Sequence, residues 1–198
     1  MIQQRYEKIM MCAQSLQNHF LISLPCLTDR YFQRSITYIF RHDADGAMGI
    51  VVNKPIHKKF FDIFKDLDFK TEKDALNLRN KTMLLGGPLY KSNGFILHDE
   101  SYQDPASLKI NEEIFLTTKF DIFNAIAQGD GPTDYLIALG CAGWSSGQLE
   151  SELAENAWLT VPAEKKTLFE EPYEPKFDLI IRNLNFDLGS YASHVGHS

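Results

Sequence analysis

A literal G-x-S-x-G motif, GWSSG at residues 143–147, is the sharpest catalytic signal in the sequence. Its Ser145 would be the nucleophile of a serine hydrolase, in which a strained strand-to-helix turn exposes the hydroxyl. Candidate acids and bases follow in the chain order of the α/β-hydrolases: Asp178 or Asp187, then His194 or His197. Against this interpretation, the preceding strand is predicted to end at Gly140, short of the motif, and Ser145 also suits a helix cap. Serine hydrolysis is therefore the alternative function, with Ser145, His194 and His197 as its candidate catalytic residues.

Cysteine and histidine offer two further kinds of chemistry. Cys141 lies between a predicted strand and a predicted helix start, where backbone dipoles can lower the pKa of a thiol and create a nucleophile. A small buried core residue is the favoured interpretation, because free cysteines are usually buried and inert. His194 and His197 form an H-x-x-H pair on a terminal tail, without the Cys or carboxylate spacing that completes a metal site. The sequence predicts no metal and no cofactor.

Glycine-rich turns and polar strand ends supply candidate binding residues. At residues 86–88 two glycines and a proline follow a predicted strand, where free backbone N–H groups can face an anion and where a tight turn is the other explanation. Trp144 is either an exposed contact residue or a buried staple for its turn. Loop residues at strand ends often bind ligands, although solvated turn residues are commoner. The candidate ligand-binding residues are Arg41, His42, Asn53, Lys54, Gly86, Gly87, Pro88, Gly143 and Trp144.

The stretch DYLIALGCAGWSSGQLESELAENAWLTVP positions many of these candidates. Its residues 135–139 are apolar and uncharged, as in a strand covered on both faces, and Gly140 is predicted to end that strand. Ser145 and Gln148 have the spacing of a capping box, which predicts the start of a helix. A second strand is predicted at residues 158–161.

Alternation, helical spacing and turn residues place the other elements. A β-hairpin is predicted from residues 35–41 and 48–53, which flank the turn HDADGA. A helix docked on the sheet is predicted from apolar residues at helical spacing: Phe60, Phe61, Phe64 and Leu67. The remaining predictions are strands at residues 19–24, 83–85, 94–98 and 114–117, a turn at 91–93, a surface excursion at 70–81, helices at 118–126, 162–169 and 177–184, and a polar tail at 189–198.

Length and composition are those of one globular domain. A chain of 198 residues buries roughly 70% of its unfolded surface without needing a disulfide or a metal. Its three cysteines form no C-x-x-C pair, which favours a reducing compartment. The start of the chain has no signal-peptide pattern and no segment is long and apolar enough for a bilayer, so a cytoplasmic protein with no membrane partner is expected. The formal net charge of −6 disfavours direct nucleic-acid binding.

Five stretches carry a resemblance to a known family: LQNHFLISLP, GAMGIVVNKP, LLGGP, LGCAGWSSGQLESELAENAWLTVP and the terminal GH. In this order they resemble the AlgH/YqgE family of bacterial proteins, over nearly the whole chain. The resemblance implies an α+β fold, with a single domain at residues 15–198 and an N-terminal extension at residues 1–14. The implied β-sheet is mixed and bent, partly closed like a barrel, and flanked by helices. Cys141 stands where the family commonly has an aromatic residue, so it borrows no role from the family.

The resemblance implies no known reaction. One branch of the family is linked to transcriptional control of an exopolysaccharide, but the family pattern contains no recognisable DNA-reading element. The function that we predict is therefore a cytoplasmic regulatory or accessory protein that binds a small molecule or a protein partner. Its binding surface is predicted to join the turn at residues 86–88 with the turn at residues 140–145. A direct DNA-binding regulator is the second alternative, after the serine hydrolase.

Overall fold

The computed structural model describes residues 15–57, 60–63, 78 and 81–184. Several predicted features lie outside the described residues: the extension at 1–14, Phe64 and Leu67, most of the excursion at 70–81, the tail at 189–198, and with them Asp187, His194 and His197. The strands are β1 (His19–Ser23), β2 (Ile36–Asp43), β3 (Gly46–Val51), β4 (Pro55–Ile56), β5 (Met83–Leu85), β6 (Leu89–Asp99), β7 (Leu108–Lys109), β8 (Ile114–Thr117), β9 (Tyr135–Ser145) and β10 (Trp158–Pro162). The helices are α1 (Phe60–Ile63), α2 (Asp121–Gln128), α3 (Gln148–Ala154), α4 (Lys165–Phe169) and α5 (Lys176–Asn183).

The β2–β3 hairpin is confirmed, with a tighter turn than the sequence predicted. The strands pair as far as Asp43 and Gly46, so residues 44–45 form the turn instead of residues 42–47. Gly46 allows this reversal because its φ is 131°, a value that side chains disfavour. A Cβ on Gly46 would also lie 2.1 Å from the carbonyl oxygen of Trp144. The hairpin therefore packs directly onto β9.

The central strand β9 is longer than predicted. Its first half pairs with β5 and β6, and its last residues, from Ala142 to Ser145, pair with β3. Gly140, at a φ of 72°, lies between these halves without ending the strand. The predicted strand end at Gly140 is therefore wrong, and residues 140–145 are strand rather than turn. The ladder continues because β3 provides a new partner where β5 stops.

The strands form a mixed sheet in the order β10-β1-β2-β3-β9-β6-β8-β7, to which β5 adds beside β9 and β4 beside β5. β5 runs parallel to β9, whereas β3 and β6 run antiparallel to it. The sheet curls into a half-barrel that helices cover. The predicted α+β fold with a mixed, bent sheet is confirmed.

Strand β6 replaces a predicted turn. It runs from Leu89 to Asp99, so the turn predicted at residues 91–93 is wrong. Its pairing with β9 is irregular between Leu89 and Gly94, which lets polar residues leave the ladder without reversing the chain. The two-residue strand β7 was not predicted, because it is too short for an alternating pattern.

Helices bury the sheet through three apolar clusters. The first contains Leu168 of α4 and Phe177 of α5. The second contains Phe60 of α1, which confirms part of the predicted docked helix, together with residues of α2. The third contains Leu149 of α3 packed beside Trp144. Apolar side chains therefore pack against both faces of the sheet at β9.

Candidate functional site

Ser145 is exposed at the end of β9, directly before the connection to α3. The objection that the strand ends too early for a nucleophile elbow is therefore wrong. An elbow serine lies in a strained turn, but Ser145 does not have a positive φ. Its hydroxyl donates to Oε1 of Gln148 at 3.2 Å, and its backbone N–H donates to the same oxygen at 3.1 Å. Half of the predicted capping box is formed, whereas Gly147 is the helix N-cap.

The acid and base that Ser145 would need are not assembled among the described residues. Asp178 lies on α5 and pairs with Arg34 at 2.7 Å. His194 and His197 lie outside the described residues. Serine hydrolysis stays a prediction.

Arg41 and His42 lie in the hairpin and make local contacts. Arg41 pairs with Asp43 at 2.6 Å and is exposed. Nδ1 of His42 lies 2.8 Å from the backbone N–H of Leu16, so it accepts that hydrogen bond. Nε2 lies 2.7 Å from Oε1 of Glu150, and the tautomer with its hydrogen on Nε2 satisfies both contacts. His42 thereby connects the beginning of the described chain, the hairpin and α3.

Trp144 is a buried staple. Its exposed fraction is 7%, and its indole N–H donates to Oε2 of Glu152 at 2.9 Å. Trp158 donates to the same oxygen at 2.7 Å. The two rings pack edge to face, 6.0 Å apart between centroids. Of the two interpretations of Trp144 from the sequence, the structure supports the buried one.

Gly86 and Gly87 pack against the backbone of β9. A Cβ on Gly86 would lie 2.2 Å from the carbonyl oxygen of Gly140, and one on Gly87 would lie 2.2 Å from the carbonyl carbon of Cys141. Both backbone groups of Gly86 are also hydrogen-bonded within the sheet. The two segments predicted to share a binding surface therefore lie directly against each other, with no space between their backbones at these glycines. Binding on the surface that they share stays a prediction.

Gly143 and Pro88 belong to the same packed region. A Cβ on Gly143 would lie 2.6 Å from a methyl group of Leu89, and Pro88 is half-buried between β5 and β6. Ligand binding by Gly86, Gly87, Pro88 or Gly143 stays a prediction.

Cys141 is a core residue, as the favoured interpretation held. It is buried in the first apolar cluster, and burial raises the pKa of its thiol to about 11. The thiol is therefore protonated at neutral pH, which contradicts the alternative of an activated nucleophile.

Asn53 and Lys54 follow the end of β3. Asn53 is buried: its Oδ1 accepts from the N–H of Ile36 at 2.8 Å and its Nδ2 donates to the carbonyl of Arg34 at 3.0 Å. Lys54 is half-buried, and its Nζ donates to the carbonyl of Arg30 at 2.9 Å. Burial lowers the pKa of Lys54 from its ordinary value. Asn53 therefore fixes the segment that carries a partly desolvated ammonium.

An open groove runs beside β4, and we call it the β4 groove. It consists of two adjoining hollows of about 380 and about 340 Å³, which share Pro55, His57 and Glu174. One wall is the segment from Asn53 to His57, and the other is the bend at residues 172–175 that leads into α5. Two predicted ligand-binding residues, Asn53 and Lys54, therefore line the groove.

Two cations gather around Tyr31, next to the residue whose carbonyl binds Lys54. The Arg30 guanidinium lies 5.0 Å and the Lys91 ammonium 5.3 Å from the ring centroid of Tyr31. Hydrogen bonds from Lys91 and Arg30 lower the pKa of the Tyr31 hydroxyl. Lys54 connects this cluster to the groove through the Arg30 carbonyl. We call Arg30, Lys54 and Lys91 the cation strip. Within the described residues, none of the three forms an ion pair with a carboxylate.

Carboxylates lie mostly on the opposite wall. Glu174 lines both hollows, and Asp178 pairs with Arg34 at 2.7 Å. Asp29 is close enough to Lys54 to offset part of the effect of burial on the pKa of that ammonium. The β4 groove therefore has Glu174 on one wall and, on the other, Lys54, which forms no ion pair within the described residues.

A buried hydrogen-bond chain, which the sequence did not reveal, begins at His98 on β6. Nδ1 of His98 lies 2.9 Å from the carbonyl oxygen of Asp99, which can only accept, so Nδ1 carries the hydrogen. Nε2 then accepts from the hydroxyl of Thr117 at 3.0 Å, and that hydroxyl is bonded to Ser107. His98 is 0% exposed and Thr117 is 1% exposed. The chain therefore serves the core rather than a substrate.

The buried His98 predicts a loss of stability in mild acid. Burial lowers the pKa of His98 in the folded protein below its ordinary value. In mild acid, the unfolded chain therefore binds a proton at His98 that the folded protein does not bind. The contribution of neutral His98 to the free energy of unfolding is complete above about pH 6.5. It is lost as the pH falls towards the lower pKa of the folded protein, at up to about 1.4 kcal/mol per pH unit. Urea unfolding of wild type between pH 7 and 5 should show this slope, and His98→Gln should show a shallower one. Equal slopes would contradict the assignment.

The groove also contains residues that the sequence analysis did not select. Arg34, His57 and Glu174 line it together with Lys54. Arg34 and Glu174 are far from Lys54 in the chain, and no local pattern connects them to it. The available signal was the pair of prolines, Pro172 and Pro175, which mark the bend forming the second wall.

The described residues contain neither a metal-ligand cluster nor a membrane-spanning helix. Within residues 15–57, 60–63, 78 and 81–184, no group of three or more His, Cys, Asp or Glu side chains is arranged to hold a metal ion. No helix in that part of the chain is both long and apolar enough to cross a membrane.

The fold is a single α+β domain, and polar and charged residues line its β4 groove. The chain belongs to the AlgH-like family, whose sequence profile matches residues 20–189. A UPF0301 protein of Nitrosospira multiformis is 41% identical over 183 residues, which cover 92% of this chain and 97% of that protein. A UPF0301 protein of Stenotrophomonas maltophilia is 40% identical over 183 residues, with 92% and 96% coverage.

Solved structures agree with this assignment. The solution structure of the AlgH protein from Pseudomonas aeruginosa has a TM-score of 0.76 and 34% identity, covering 93% of this chain and 97% of that one. A crystal structure of a protein from Corynebacterium diphtheriae has a TM-score of 0.70 over 90% of this chain and 91% of its own, but 16% identity. The second likeness therefore concerns the fold alone. The resemblance found in the sequence is confirmed.

Proposed function

We propose that this protein is a regulatory or accessory protein that binds a segment of a partner protein in the β4 groove. The proposal includes a cytoplasmic setting, which the free thiols of Cys26 and Cys141 support. The proposed binding surface is the β4 groove, which Lys54 lines, rather than the packed region around Gly86 that the sequence predicted.

The state of Lys54 is the observation that carries this proposal. Its ammonium has lost part of its hydration and has one backbone acceptor, the carbonyl of Arg30. Hydrogen bonds to charged groups contribute about 1.5–3 kcal/mol, so a carboxylate placed at Lys54 would restore the stabilisation that burial removes. The neighbouring charges of Arg30 and Lys91 favour the same kind of partner.

The shape of the groove favours a protein segment over a small molecule. Small-molecule sites usually enclose most of the ligand surface, whereas both hollows are open to solvent and are lined by charged residues as well as apolar ones. Because the two hollows share Pro55 and His57, the β4 groove is continuous. An extended stretch of a few residues fits this groove better than a compact ligand.

Selection of peptides on the protein tests the proposal. A random heptapeptide library panned on wild type should yield sequences rich in Asp and Glu, whose Kd is then measured by fluorescence anisotropy. Lys54→Gln should weaken these peptides about tenfold, or about 1.4 kcal/mol, because the cation at the groove is lost. Lys54→Glu should weaken them further, through repulsion of like charges.

Lys119→Gln is the matched control, because Lys119 is an exposed lysine between β8 and α2. It should leave the Kd unchanged. Selected peptides that bind Lys54→Glu as tightly as wild type would refute the proposal. So would failure to select any peptide, and a melting temperature that rises with inorganic phosphate in wild type but not in Lys54→Gln would then identify a small-anion site instead.

A further inference from the structure

Strand β4 has one edge that pairs with β5 and an outer edge that no strand of the described residues covers. It pairs with β5 in antiparallel register, with Pro55 opposite Leu84 and Ile56 opposite Met83. The carbonyl of Lys54 accepts from the N–H of Leu85 at 2.8 Å. Because backbone groups alternate in direction along a strand, Lys54 and Ile56 turn their groups towards β5.

Pro55 and His57 consequently turn their backbone groups the other way. Both residues line the two hollows of the groove. Pro55 has no N–H, so this edge offers the carbonyls of Pro55 and His57 and the N–H of His57. In the part of the chain that the structure describes, β5 is the strand that pairs with β4, and no strand pairs with this outer edge.

We propose that the partner segment binds by strand addition: an extended, acidic segment of another protein pairs with the outer edge of β4 and places a carboxylate at Lys54. This inference rests on the proposed function and specifies how the β4 groove holds its partner. Addition of a strand to a sheet edge derives affinity from main-chain hydrogen bonds and specificity from alternate side chains.

The spacing of the groups along the edge fits an extended segment. Successive residues of a strand advance about 3.3 Å, and those that bond to one neighbour are two residues apart. The carbonyls of Pro55 and His57 have that separation in sequence, so they match two N–H groups of the segment that are also two residues apart. The side chains of the segment alternate between the two faces of the extended sheet, so every second one can place a carboxylate on the face that carries the Lys54 side chain.

Charge selects another protein over a second copy of this chain. Pairing of two β4 edges would bring two cation strips, each of which includes Lys54, towards each other. It would also align two Pro55 residues that lack an N–H, a feature that discourages edge-to-edge pairing. An acidic segment of a different protein meets neither obstacle and compensates Lys54.

Backbone methylation of a selected acidic peptide tests the inference. Each residue in turn is N-methylated, which removes a single N–H, and the Kd for wild type is measured by fluorescence anisotropy. Methylation at alternate residues of the pairing region should weaken binding at least about tenfold, whereas methylation at the residues between them should change it less than about twofold. On the protein side, His57→Pro removes the N–H of the edge and should weaken binding about tenfold relative to His57→Ala, which keeps it.

The outcomes separate this inference from the proposed function. Peptides that depend on Lys54 but show no alternation, and that bind His57→Pro and His57→Ala equally, would overturn strand addition while leaving the β4 groove as the binding site. Peptides that bind independently of Lys54 would overturn both. Sedimentation showing a wild-type dimer that His57→Pro dissociates would establish a second copy as the occupant and overturn the assignment to another protein.

Discussion

Gly87→Ala is expected to lower the free energy of unfolding by about 3–5 kcal/mol. A Cβ on Gly87 would lie 2.2 Å from the carbonyl carbon and 2.3 Å from the carbonyl oxygen of Cys141. The added methyl group would displace the backbone of β9, which holds hydrogen bonds to several strands. The φ of 156° at Gly87 adds strain, because side chains avoid this region. Urea unfolding followed by tryptophan fluorescence measures the loss.

Gly147→Ala is the matched control for this prediction. Gly147 also has a positive φ, 74°, but no heavy atom lies within 4 Å of its added Cβ. It should lose about 1–2 kcal/mol, from backbone strain alone. The difference between the two variants therefore measures the overlap with β9. Similar losses for both would contradict the packing role of Gly87.

The hairpin and the centre of the sheet could be predicted because their signals are local. The turn residues between β2 and β3 and the apolar run at the start of β9 are contained within a few positions of each other. Even there, the exact turn depended on the close approach of Gly46 to Trp144, which are far apart in the chain. Local patterns therefore gave the elements, while their ends depended on contacts between distant strands.

Strand β9 shows why the sequence wrongly predicted a strand end at Gly140. In an isolated sequence, Gly140 after an apolar run favours a strand end. In the folded protein, residues 142–145 find a second partner in β3, and the resulting hydrogen bonds outweigh the preference of a glycine for turns. The same wrong strand end led the sequence to predict a turn at residues 140–145, where the structure has a strand packed against Gly86.

The β4 groove could be predicted only in part. Asn53 and Lys54 were selected because polar residues end a strand there, and that reasoning needs no knowledge of the fold. The opposite wall comes from residues 172–175, and its position depends on how α5 packs Phe177 into the core. Periodicity predicted that helix but could not place it beside β4.

Glu152 shows the same dependence on distant contacts, with a large expected effect. It lies on α3, and its Oε2 accepts from the indole N–H of Trp144 on β9 at 2.9 Å and of Trp158 on β10 at 2.7 Å. The exposed fractions of the two indoles are 7% and 4%, so water cannot easily replace the carboxylate. One oxygen thus joins a central strand, an edge strand and a helix.

Glu152→Ala is expected to lower the free energy of unfolding by about 2–6 kcal/mol, because it leaves two buried donors without an acceptor at a cost of about 1–3 kcal/mol each. Glu152→Gln is the matched control, since its amide oxygen can occupy the position of Oε2 and should limit the loss to about 1 kcal/mol. Urea unfolding of both variants at pH 7, followed by circular dichroism because the tryptophan environment itself changes, measures the difference. Equal losses would show that the charge of Glu152, rather than its acceptor oxygen, stabilises α3 on the sheet.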